Sequence, residues 1–86
     1  MGRKSRKILN ESMLTVVENQ LRTDNPPETK QTLKRLLNEG FDEQEAKQLL
    51  ASVVAAEVYE VMKAKQPFDQ TRFVKALNRL PDLPGD

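Results

Sequence analysis

At 86 residues, 37% of them hydrophobic and 31% charged, the chain has the size and balance of one small globular domain. It contains no Cys and no His, which removes disulfides, thiolate nucleophiles, imidazole bases and the usual zinc ligands. No apolar run approaches the roughly 20 residues of a membrane-spanning helix, and no apolar core of a secretory leader follows the basic start, so a cytoplasmic protein is expected.

The net charge is +1, from 14 cations and 13 anions, but it is unevenly spread. Arg3, Lys4, Arg6 and Lys7 open the chain. Residues 1–7 are therefore read as a basic, flexible arm, residues 8–80 as one helical domain and 81–86 as a flexible tail. A basic arm on a mildly acidic body fits either a solvated terminus or contact with nucleic acid, though no aromatic residue is interleaved to stack on bases.

Helical periodicity runs through the whole body. The first helix is predicted from Ser5 to Arg22, with Ile8, Leu9, Met13, Val16, Val17 and Leu21 on one side. Asn10 and Gln20 share that side and are expected to be buried and hydrogen-bonded. Asn25-Pro26-Pro27-Glu28 then reads as a helix start, with Asn25 as N-cap and Pro26 in the first helical position. The second helix turns Leu33, Leu36 and Leu37 inward, and Gly40 closes it in a Schellman turn. Asp42 caps the third helix, with Glu45 completing a capping box.

That third helix, Glu43 to about Lys65, is the longest and is apolar over more than half its girth. It is expected to be central. Glu57 and Glu60 lie on its apolar side, where each is expected to pair with a cation from a neighbouring helix or, less simply, to act as an acid. After the Gln66-Pro67-Phe68 break, Asp69 caps a fourth helix that Pro81 ends, with Phe73, Val74, Leu77 and Leu80 inward. The fold expected is all-α: a compact bundle of four helices with a long central third.

The Gly40-Phe41 turn is similar to two known modules. A DNA-binding helix-turn-helix would present Glu43, Gln44 and Glu45 to phosphates, which is the wrong charge. A ubiquitin-associated domain would need a much shorter third helix. A Schellman turn between packed helices accounts for the same residues.

Thr15-Val16-Val17-Glu18-Asn19-Gln20, Asp24-Asn25-Pro26-Pro27-Glu28 and Leu33-Lys34-Arg35-Leu36-Leu37-Asn38-Glu39-Gly40 together resemble a small bacterial helical domain family of unknown function. The resemblance spans about residues 8–80. That family carries histidines where this chain has Asn10, Leu14, Gln44 and Gln48. Gln and Leu do not replace imidazole as ligands, so the metal role those histidines imply does not carry over. Glu18 and Glu45 remain without imidazole partners.

No catalytic, cofactor or metal residue is therefore expected. The chain reads as a non-catalytic interaction module, binding another protein or a second copy of itself. Val54, Val58, Tyr59 and Met62 form the expected partner surface, unless the first and fourth helices cover this flank and make it ordinary core. The alternative is a nucleic-acid accessory protein using Arg3, Lys4, Arg6 and Lys7.

Overall fold

The computed structural model describes residues 3–84, with side chains described from Glu11 to Pro84. They form four helices: α1 (Arg3–Thr23), α2 (Pro27–Asn38), α3 (Glu43–Ala64) and α4 (Gln70–Arg79). The all-α bundle with a long third helix is what the periodicity predicts. Helix α1 starts at Arg3, so most of the stretch read as a flexible arm is helical backbone. The side chains of Arg3, Lys4, Arg6, Lys7 and Asn10 lie outside the described residues.

Local chemistry explains most of the boundaries. Gly40 adopts φ 104°, and the amides of Gly40 and Phe41 donate to the carbonyls of Leu37 and Leu36. This is the Schellman closure, in a conformation that a side chain would strain. Two residues later the Asp42 carboxylate accepts from the Glu45 amide (2.7 Å), while Glu45 accepts from the Asp42 amide (3.1 Å). Asp69 caps α4 by accepting from the Arg72 amide at 3.1 Å.

The start of α2 differs from expectation. Asp24 takes a left-handed φ of 54°, and the Asn25 amide donates back to the Gln20 carbonyl. Asn25 thus belongs to the closure of α1, and Pro26 is the cap residue, with no side-chain cap bond. The Thr29 hydroxyl donates to Gln20 Oε1 at 2.9 Å, joining α1 to α2 and giving the half-buried Gln20 its expected partner.

The core gathers Met13 and Val17 of α1, Leu36 of α2, Leu50, Val53 and Val54 of α3, and Phe73, Leu77 and Leu80 at the C-terminal end. Full burial of side chains this size is worth about 1.5–3 kcal/mol each. Leu37, expected inward, is exposed, because the buried face of α2 is set by Thr29, Thr32 and Leu36.

The segment after α4 is not a free tail as far as Pro84. Leu80 is buried, the Asp82 amide donates to the Arg79 carbonyl, and Arg35 donates to the carbonyls of Leu77 (3.0 Å) and Leu80 (2.8 Å). Half-buried Pro84 lies in a hollow with Ala56 and Tyr59.

Helices α2 and α3 each touch all three others, whereas α1 and α4 make no contact with one another among the described residues. That gap exposes one side of α3.

Candidate functional site

The gap between α1 and α4 forms an apolar groove of about 400 Å³ over the C-terminal half of α3. Val16 and Gln20 of α1 make one wall. Phe73 of α4 and Phe68 of the preceding loop make the other. Val54, Glu57, Val58, Val61 and Met62 of α3 complete it.

Helical spacing places these residues. Val54, Val58, Val61 and Met62 fall within about a third of a turn of one another at 3.6 residues per turn. Their stripe lies beside the core-facing stripe of Leu50, Val53 and Glu57, not on it. Val58 is 38% exposed, Phe68 53%, Tyr59 61% and Met62 72%. The largest apolar patch on a small protein often marks a contact site. Val54 departs from expectation: it is buried in the core as part of the floor, because α1 packs over it. Val58, Tyr59 and Met62 stand outside. Phe68 was not foreseen as part of the surface, since the Pro67 break hides where the loop folds. Its ring stacks at a tilt on Phe73, 5.5 Å between centroids.

Beneath the groove lies an ion pair. Glu57 is 5% exposed and takes a two-point contact from Arg72, with Nε to Oε1 at 2.8 Å and Nη2 to Oε2 at 2.7 Å. The Asp69 amide also donates to Oε2, at 3.1 Å. The Arg72 hydrogen bonds, aided by that amide, hold the Glu57 carboxyl below the usual glutamate value of 4.5, against burial, which pushes it up. Glu57 is thus an ionised strut between α3 and the start of α4. Glu60, which lies half-buried in the hollow on the other side, comes near the same arginine.

The depressed carboxyl fixes a pH response. Glu57 binds its proton less readily folded than unfolded, so its stabilisation is complete above about pH 5 and fades as pH falls through and below 4.5. A Glu57→Gln variant is expected to lose stability at neutral pH and to show a flatter decline on acidification. Urea midpoints measured from pH 7 to pH 3 check this. Parallel declines for the two proteins would refute it.

The remaining polar candidates are tied into the scaffold. Lys47 bridges Glu18 of α1 (2.8 Å) and Glu43 of its own helix (3.0 Å), and its pKa is raised chiefly by the hydrogen bond it donates to Glu18 and then by the one it donates to Glu43. Glu45 is engaged in the α3 cap. Leu14 is half-buried, whereas Gln44 and Gln48 are exposed. Among the described residues no group of three or more acidic side chains is placed to hold a metal ion. Among the described residues no helix is long and apolar enough to cross a membrane. Lys30 and Lys34 are exposed on α2, but Arg35 is turned to the carbonyls of Leu77 and Leu80, so these three cations do not act as one patch.

No family model matches this chain, and no curated protein or solved structure matches it.

Proposed function

We propose that the protein is a non-catalytic interaction module whose contact surface is the outer, C-terminal half of α3 together with Phe68. The observation that carries this reading is the clustering of exposed Val58, Met62 and Phe68 around one apolar groove, with exposed Tyr59 next to them on α3 at the edge of the neighbouring hollow. Tyr and Met suit such a role. A tyrosine ring buries a large area while its hydroxyl reaches solvent, and methionine adapts its shape to the partner. The polar groups lining the groove are already engaged, Glu57 in the ion pair that fastens α4 to α3 and Gln20 in accepting from Thr29, which supports a binding rather than a catalytic role.

The test replaces Tyr59 and Met62 together with Lys. Both side chains are exposed, so the helical circular dichroism spectrum and the unfolding midpoint of the monomer are expected to stay near wild type, within about 0.5 kcal/mol. Association, read by light scattering and by capture on immobilised protein from an extract of the source cell, is expected to be lost. Unchanged association in both assays, or an unfolded variant paired with a folded but still associating Met62→Lys protein, would reject the proposal.

A further inference from the structure

We infer that the partner covering this face is a second copy of the chain, packed antiparallel along α3. The inference rests on the contact-surface reading above and names its occupant.

The argument begins with spacing. On the solvent side of α3, Gln48, Ser52, Ala55, Tyr59 and Met62 follow one another at intervals of 4, 3, 4 and 3 residues. That is the repeat by which one helix keeps a single seam against another. Ala55 is half-buried and the other four are exposed, so the seam is open. No seam position from Gln48 to Met62 is itself charged, in a chain that is 31% charged, and the Lys63 ammonium stands beside it, over the Tyr59 ring 5.7 Å from its centroid.

The seam is also graded in size. Its N-terminal part is small, Ser52 and Ala55, and its C-terminal part is large, Tyr59 and Met62. Two parallel copies would set large on large and leave a gap at the small end. Two antiparallel copies, related by a two-fold axis at the level of Glu57, set Met62 of each on Ser52 of the other, and Tyr59 on Ala55. Each knob then meets a hole, as close packing demands. Val58, beside the seam, meets its own equivalent near the axis. The Ser52 hydroxyl already donates to the Gln48 carbonyl at 3.1 Å, so covering it leaves no unpaired donor. Glu57 faces inward to Arg72, and no acidic side chain sits on the seam between those positions.

Area supports a second copy. Taking a large side chain as about 200 Å², the exposed fractions of Val58, Tyr59 and Met62 leave on the order of 350 Å² of apolar surface along α3. A standard interface buries about 800 Å² per partner, roughly 65% of it apolar in homodimers, or some 520 Å². Leu83, 43% exposed in the hollow with Gln48 and Ser52, extends the patch towards that figure.

The chain has no native Cys, so single cysteines report the geometry directly. Ser52→Cys protein is mixed with tagged Met62→Cys protein and oxidised gently. The mixed disulfide is expected to exceed either homotypic one at least about five-fold, because only the mixed pair falls within the roughly 7 Å between Cα atoms that a disulfide spans. In either homotypic pair the two positions stand ten residues, about 15 Å, apart along the helices. Sedimentation equilibrium of the wild type is expected to give twice the 9.8 kDa chain mass, and Tyr59→Lys to weaken the dimer by about 30-fold or more. Homotypic cross-links in excess, or cross-links in the statistical ratio of random collision, overturn the antiparallel pairing. A wild type that stays monomeric up to millimolar concentration overturns the second copy as partner. If that monomer still captures a protein that the Tyr59→Lys, Met62→Lys variant loses, the contact surface stands and its homotypic use fails.

Discussion

Replacing Phe73 by Ala is expected to cost about 4 kcal/mol, the largest loss from any single truncation considered for this chain. Phe73 is 1% exposed. It lies where α4 meets α3, under Phe68 and beside Glu57, so its removal opens a cavity between elements that only short contacts hold together. A domain of this length has a total stability of roughly 4–13 kcal/mol, so the variant loses a third or more of it. Urea unfolding followed by circular dichroism measures the change. Because the ring also forms one wall of the groove, association is expected to weaken together with the fold, unlike the response to changes at Tyr59 and Met62. A loss below about 1 kcal/mol would mean that the site is not packed as described.

The second large effect is expected at Arg35. Its guanidinium donates to the carbonyls of Leu77 and Leu80 and also to Glu39 at 2.9 Å. The last carbonyls of a helix have no partner within it, and a cation placed there satisfies them and opposes the negative end of the dipole. Arg35→Met keeps the alkyl stem but leaves both carbonyls without this donor. About 2 kcal/mol is expected, less than two fully buried charged bonds would contribute, because the side chain is 35% exposed and water can partly replace it. The local signature is more specific than the magnitude. Hydrogen exchange at the Leu80 and Asp82 amides is expected to accelerate, with the α3 amides near Leu50 changing only as the global stability does. Unchanged exchange at the C-terminal end would show that Arg35 does not fasten it.

These two residues also mark what the sequence could and could not disclose. Phe73 was legible, because a residue inside a short amphipathic helix with a clear cap at Asp69 has few places to go. So were the Asp42–Glu45 box and the Gly40 turn, whose chemistry is complete within a few residues. Helical periodicity alone puts Arg35 on the outward face of α2, because its partners lie 42 and 45 residues further along the chain. Asn25 looked like a cap until the left-handed Asp24 turned its amide back to Gln20. The candidate surface was half legible for the same reason. A helical wheel shows that α3 is apolar over a wide girth. Which part stays uncovered depends on α1 and α4 not meeting among the described residues, a fact of tertiary packing. Val54 therefore went inside while Val58, Tyr59 and Met62 stayed out. Glu57 was expected to pair, but nothing local names Arg72, 15 residues on, as the partner.

The central claim is that the outer face of α3 serves contact between copies and is not needed to hold the monomer together. Thermal melting over a hundredfold range of protein concentration tests both halves at once. Association that engages only the folded chain makes the midpoint rise with concentration. The wild-type midpoint is predicted to climb by several degrees over that range, while the Tyr59→Lys, Met62→Lys variant stays level and coincides with wild type at the lowest concentration. A wild-type midpoint independent of concentration, together with a variant that melts well below it throughout, would contradict the claim and make this face ordinary structural surface.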